Sequence, residues 1–123
     1  MSIPGEVKVH AHCSLLKAAE VPEVIRTLAG EAWGVWDSVT HPQEPEGSGK
    51  FDFDYADNHQ ERVLVLEGEA TLTPDDGGEA FTIRKGDYVV FHQGFACSWH
   101  VTVPMRKHYC YFDAEGMETQ YVF

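Results

Sequence analysis

The second half of the chain is a series of short strand-like segments, separated by turn-forming residues at intervals of roughly ten residues. Several of these segments alternate apolar and polar side chains, which is typical of strands with one buried face. The predicted strands cover residues 51–55, 62–66, 70–73, 81–84, 88–91, 98–103 and 108–112. Residues 75–78 (Asp-Asp-Gly-Gly) and 85–87 (Lys-Gly-Asp) supply turns between them. The pattern predicts an all-β sandwich or closed barrel.

The N-terminal segment carries an unusual group of potential metal ligands. Residues 7–12 alternate apolar and polar side chains, which predicts an edge strand with His10 and His12 on one face. Together with Cys13, these two side chains could chelate a metal ion at a subunit edge. Alternatively, they lie on a solvated strand and hold nothing.

One helix is predicted before the barrel. The stretch from Leu15 to Leu28 predicts a short helix that starts near Pro22, because proline suits the first turn of a helix. Residues 40–50 are rich in turn formers and predict an exposed loop. A chain of 123 residues is long enough for one hydrophobic core and too short for two. We therefore expect a single domain, with an N-terminal strand, helix and loop (1–50), the barrel (51–113) and a C-terminal strand or tail (114–123).

Composition and charge exclude several classes of partner. The 20 acidic and nine basic residues give a net charge of -11, which repels phosphate backbones and anionic lipid, so we expect neither nucleic-acid nor membrane partners. No apolar run approaches the roughly 20 residues of a membrane span, and the N-terminus lacks the pattern of a signal peptide. Three cysteines without a Cys-x-x-Cys motif argue against a disulfide framework. We expect reduced thiols and a cytoplasmic protein.

Two segments in the expected order resemble the conserved motifs of cupins. Glu61–Gly68 is similar to the second half of the first motif, and Lys85–Gly94 is similar to the second motif, with His92 where proline is usual. Shorter matches are Trp33-x-x-Trp36, Phe51-Asp-Phe53, Cys97-Ser-Trp99 and Arg106-Lys-His-Tyr109. Over residues 20–112 the chain resembles the small single-domain cupins of the DUF861 group, also called the (S)-ureidoglycine aminohydrolase cupin domain family.

The resemblance implies a fold and an assembly. The fold is an RmlC-like cupin jelly-roll barrel, or double-stranded β-helix, with an N-terminal strand and one short helix laid across it. Small cupins often pair through a sheet edge or face, so by analogy we expect a homodimer.

The resemblance also implies where a divalent metal (Zn, Mn, Ni or Fe) would lie. Metal-dependent cupins use a His-x-His pair, a glutamate and a histidine from the second motif. Here Glu61 is retained, whereas the second-motif histidine position is occupied by Cys97. The His-x-His positions fall on Tyr55 and Asp57 or, with longer spacing, on Asp54 and Ala56. In this degenerate site His59 could join Glu61 and Cys97 as a zinc ligand, or it could face water.

Glu61 is the candidate catalytic residue. A carboxyl group that points into an apolar barrel is desolvated, so it needs compensating hydrogen bonds or becomes protonated, and it could then act as a general acid or base. Cys97 could be a nucleophile beside a cationic histidine, or a small buried thiol that fills space. The predicted ligand pocket is lined by Tyr55, Glu61, Cys97, Trp99 and His108. We expect Trp33 and Trp36 to pack against the barrel end.

Three functions are compatible with this sequence. The first is a small-molecule-binding cupin with its pocket inside the barrel and no obligatory metal. The second is an enzyme on a small polar metabolite, metal-assisted or dependent on Glu61, as ureidoglycine aminohydrolase-like relatives would imply. The third is a non-catalytic interaction or storage module. Arg106 and Lys107 could bind an anion at the rim of the barrel or pair with acidic side chains.

Overall fold

The structure, a computed structural model, describes residues 6–40, 49–54, 59–113 and 118–119. For residues 53, 54, 59, 118 and 119 it describes the backbone alone. These residues form one α-helix and nine strands: β1 Val7–His10, β2 Cys13–Leu16, α1 Glu23–Ala32, β3 Gly34–Asp37, β4 Lys50–Asp54, β5 His59–Pro74, β6 Phe81–Arg84, β7 Tyr88–Phe91, β8 Ala96–Asp113 and β9 Glu118–Thr119. A short 3₁₀ turn, Ala18–Glu20, precedes the helix. No helix in these ranges is long and apolar enough to cross a membrane.

The architecture is built on two long antiparallel strands, β5 and β8, that pair with each other over most of their length. The first part of β5 pairs with β7 and its second part with β6. In the same way, the first part of β8 pairs with β4 and its second part with β3. Each long strand therefore belongs to both halves of the barrel. The predicted all-β jelly roll is confirmed.

The long strands correct the sequence-based strand boundaries. Segments 62–66 and 70–73, predicted as separate strands on either side of Gly68, form one strand, β5. Gly68 has a φ of +93°, and the ladder between β5 and β8 shifts register between Val65 and Ala70. The glycine bends the strand without ending it, because it tolerates a backbone conformation that other residues avoid. Segments 98–103 and 108–112 likewise merge into β8.

The N-terminal region adds further strands to one half of the barrel. Strands follow the order β1-β2-β7-β5-β8-β3 across the sheet. Strand β1 ends at His10, earlier than predicted, and the chain turns so that β2 pairs with β7. Leu15 and Leu16 therefore lie in a strand and not in the helical stretch. The helix begins directly after Pro22, as predicted.

The core has two layers, one on each face of this sheet. Inside the barrel lies the larger cluster, which includes Val63, Val65, Phe91, Cys97 and Trp99. The smaller cluster lies on the outer face, where α1 covers the sheet, and contains Leu16, Val21, Ala29, Leu64, Tyr88 and Val90. Since β7 has both faces covered, all four of its residues are buried.

Candidate functional site

The inside of the barrel contains a pair of oppositely charged groups. Glu61 lies near the start of β5, on the same face as the buried Val63 and Val65. Lys107 lies on β8, directly opposite Val65. The Nζ atom of Lys107 is 3.4 Å from Oε2 of Glu61, and both side chains are 2% exposed. The two groups therefore form a salt bridge that water barely reaches.

Aromatic rings surround the lysine end of this pair. The Nζ atom is 4.5 Å from the ring centroid of Trp99 and 5.0 Å from that of Trp36. Phe51 meets Trp36 edge-on at 5.2 Å, and Phe91 lies 5.7 Å from Trp99. Ammonium groups at such distances are attracted to the negative faces of indole rings, and the attraction grows when water is absent. The rings therefore offset part of the penalty for burying Lys107.

The protonation of Lys107 reflects these surroundings. Burial lowers the pKa of Lys107, because the ammonium form loses its hydration, and the Glu61 carboxylate opposes this shift. A lysine with a lowered pKa gives up its proton more readily and can then act as a base or a nucleophile.

Cys97 lies in the same interior cluster and is fully buried. Burial raises the pKa of its thiol to about 12. Burial also raises the pKa of Cys13, which packs in that cluster. Both groups remain thiols at neutral pH, so the structure does not favour Cys97 as an activated nucleophile.

The two predicted donors whose side chains the structure describes, Glu61 and Cys97, are poorly suited to a divalent metal. The ammonium of Lys107 already occupies one side of the Glu61 carboxylate, where it would repel a second cation. Cys97 would have to lose a proton that burial holds firmly. Within the described part of the chain, no three His, Cys, Asp or Glu side chains lie close enough together to hold a metal ion.

The structure brings together some of the predicted pocket residues. Glu61, Cys97 and Trp99 all belong to the buried interior. His108 does not join them. It directly follows Lys107 on β8, so its side chain lies on the other face of the strand, where its Nδ1 donates a hydrogen bond to the carbonyl of Gly34 at 3.3 Å. Tyr55 lies outside the described residues, as do Asp57 and Ala56. For His59 and Asp54 the structure describes the backbone alone, so their predicted roles stay predictions.

Two residues that contribute to this arrangement, Lys107 and Trp36, were not among the predicted site residues. Arg106 and Lys107 were expected to bind an anion at the rim or to pair with acidic side chains, and both of them pair. Arg106 is exposed, with Glu67 at 3.8 Å and Asp37 at 3.9 Å, whereas Lys107 pairs with Glu61 inside the barrel and not at its rim. Trp36 was expected to pack against the barrel end; it is half-buried, and its ring packs against that of Trp99 in the interior cluster, with the ring centroids 6.2 Å apart. The sequence did contain an indication that Lys107 points inward, because the apolar residues Met105 and Tyr109 lie two positions before and after it and share its face of the strand. The predicted strand began at His108, however, and so did not include Lys107.

The proposed metal-chelating tract near the N-terminus is also divided by the fold. His10 lies on β1 and its Nε2 is 2.8 Å from Oδ2 of Asp76, in the hairpin turn after β5. His12 lies in the turn after β1, and its backbone N–H donates to Nδ1 of His10 at 3.0 Å. Cys13 points into the core. The rings of His10 and His12 lie near each other, with centroids 5.8 Å apart, but Cys13 does not join them, and both ring nitrogens of His10 have protein partners.

Comparisons with known proteins show which families and structures the chain resembles. Residues 28–109 match the family model described as the EutQ-like cupin domain. The chain is similar to the crystal structure of a DUF861 family protein from Thermotoga maritima, with 34% identity, a TM-score of 0.60, and coverage of 79% of this chain and 96% of that one. It is more distantly similar to the EutQ protein of Clostridium difficile, with 18% identity, a TM-score of 0.45, and coverage of 94% and 91%. No curated protein matches the chain.

Proposed function

Because this chain belongs to the EutQ-like cupin family, we propose that it binds a small molecule inside its barrel, at the Glu61–Lys107 pair, and needs no metal ion to do so. In metal-dependent cupins the ion supplies positive charge at the centre of the barrel. Here the ammonium of Lys107 supplies that charge beside the retained glutamate.

One observation carries this proposal, namely that two opposite charges are 2% exposed within an apolar interior. Desolvation of such a pair often outweighs its attraction, and apolar replacements of similar volume are commonly neutral or stabilising. The fold itself therefore gains little from the pair. Buried ionisable groups of this kind are candidates for function, particularly when burial perturbs their titration.

The pair and the rings around it define what such a site can recognise. Lys107 can donate hydrogen bonds to an acceptor, and the carboxylate of Glu61 can accept them from a donor. The indole faces of Trp36 and Trp99 can pack against an apolar part of the same molecule. We therefore expect a small ligand with one polar group and an apolar body.

The test is a ligand screen on metal-free protein. Chelator-treated protein is heated with uncharged amides, ureas, ketones and short carboxylic acids, and a ligand of the site is expected to raise the Tm. The shift should vanish in the double variant Glu61→Gln, Lys107→Met, which removes both charges and leaves neither unpaired.

A matched control uses an exposed pair of similar geometry. Arg84 Nε lies 3.2 Å from Glu69 Oε1, with both side chains about half exposed. The double variant Glu69→Gln, Arg84→Met should keep the ligand response. A response that requires stoichiometric metal, or that survives removal of the interior pair, contradicts the proposal.

A further inference from the structure

We propose that Nζ of Lys107 is a nucleophile that forms an imine with an uncharged aldehyde or ketone, with Glu61 as the group that moves the protons. This inference rests on the proposed function, since the carbonyl compound has to bind inside the barrel. It names both the chemical class of the ligand and a covalent step.

Lys107 differs from every other lysine of the chain. The other four lysines, Lys8, Lys17, Lys50 and Lys85, are exposed. Their ammonium groups are hydrated, and a protonated amine has no lone pair with which to attack carbon. The Nζ of Lys107 instead lies against two indole rings and next to a carboxylate, and its burial favours the free amine. Of the five lysines, it is therefore the one whose surroundings promote nucleophilic attack.

Glu61 is placed to move the protons that imine formation requires. Its Oε2 lies 3.4 Å from the nitrogen. In the neutral form of the pair, the nitrogen lone pair forms a bond to the carbonyl carbon, and the carbonyl oxygen takes the proton of the Glu61 carboxyl group. The nitrogen then returns one proton to Glu61, which gives a carbinolamine and restores the acid.

The second step expels water without any oxidant or reductant. Glu61 donates its proton to the hydroxyl group, the carbon–oxygen bond breaks, and the nitrogen lone pair forms the carbon–nitrogen double bond. The products are one water, a protonated imine and the Glu61 carboxylate. The same ion-pair geometry that holds the ammonium would then stabilise the positively charged imine.

The charge balance of the interior selects uncharged carbonyl compounds. Among the buried residues that the structure describes, Lys107 has the one cationic side chain, and Glu61 already neutralises it. An oxo acid would add a second negative charge beside Glu61 in a poorly hydrated site. The aromatic walls instead suit an aldehyde or ketone with a short apolar chain.

The experiment traps the imine by reduction. Wild-type protein is incubated with butanone and sodium cyanoborohydride, and the adduct is located by intact-mass measurement and peptide mapping. Pyruvate serves as the charged comparison. We expect one adduct per chain, on Lys107, with labelling above that of every exposed lysine and little reaction with pyruvate.

Variants and a non-reactive analogue separate the covalent step from binding. The double variant Glu61→Gln, Lys107→Met should lose the adduct, while Lys85→Met, which removes an exposed lysine, should keep it. Because the assignment by peptide mapping is made on wild-type protein, it does not depend on how the variants fold. The alcohol 2-butanol, which cannot form an imine, reports on binding alone through the Tm.

Each outcome decides between the two proposals. If butanone and 2-butanol both raise the Tm but Lys107 is labelled no more than the exposed lysines, imine formation is wrong and binding in the barrel stands. If neither compound raises the Tm and no adduct forms on Lys107, imine formation is overturned and an uncharged carbonyl compound is not the ligand. If other classes in the screen also leave the Tm unchanged, the proposed function fails as well.

Discussion

Removing the charges of the interior pair one at a time and together tests whether Glu61 and Lys107 depend on each other. At 3.4 Å their attraction is about 5 kcal/mol for an effective dielectric constant of about 20. Either Glu61→Gln or Lys107→Met alone leaves a buried group without its partner and should lower the free energy of unfolding by about 3–5 kcal/mol. The double variant should lie close to wild type, or be more stable by up to about 4 kcal/mol.

Urea unfolding at neutral pH measures these differences by linear extrapolation. The exposed pair formed by Arg84 and Glu69 is the control, since each of its single variants should change stability by only about 0.2–1 kcal/mol. The reasoning is refuted if the double interior variant loses as much stability as the two single variants added together. Additivity of that kind would mean that Glu61 and Lys107 do not interact.

Four further predictions follow from individual contacts. Ser38→Ala should lower the free energy of unfolding by about 1–3 kcal/mol in urea titrations, because the buried N–H of Met105 donates to the Ser38 hydroxyl at 2.8 Å; an unchanged midpoint would contradict this. Gly68→Ala should lower the free energy of unfolding by about 1–3 kcal/mol in the same assay, because a φ of +93° strains the backbone of any residue with a Cβ atom. An unchanged free energy of unfolding would show that β5 can straighten at this position. Cys97 should react with a thiol reagent such as DTNB only after unfolding, and rapid labelling of native protein would disprove its burial as a thiol. In the folded protein the pKa of Lys107 lies below its ordinary value of 10.5, so the unfolded chain binds more protons as the pH approaches 10.5. Wild type should therefore gain stability relative to the Glu61→Gln, Lys107→Met double variant as the pH rises toward that value. A difference in urea midpoints that does not change with pH would argue against this.

Short strands bounded by turn residues could be predicted from the sequence almost to the residue. Strands β6 and β7 have the predicted limits, because Gly86 and its neighbours enforce a turn between them. The start of the helix after Pro22 was predicted for a similar reason, since proline fixes the backbone locally. Local conformation alone sets these boundaries.

Long strands could not be predicted in this way, because pairing across the sheet decides where they continue. Gly68 looks like a turn in the sequence, yet β5 runs through it while paired to β8. For the same reason, the inward position of Lys107 could not be predicted. A lone lysine between strands is normally exposed, and only the register opposite Val65 turns this one inward.

The inward position of Glu61 was easier to anticipate. Glu61, Val63 and Val65 alternate with residues of the outer face, so one apolar pattern places all three inside. What the pattern could not supply was the partner of the carboxylate, because Lys107 is 46 residues away along the chain. Sequence periodicity assigns faces of a strand, whereas contacts across the barrel depend on the whole fold.

The sharing of β5 and β8 between both halves of the barrel has a consequence for folding. Neither half can lose its strands without dismantling the other, so unfolding should be a single cooperative transition, with coincident curves from fluorescence and circular dichroism. The same arrangement joins segments that are far apart in the chain, such as Gly34 with Tyr109 of β8. Such high contact order predicts refolding on a timescale of milliseconds to seconds, slow for a chain of this size.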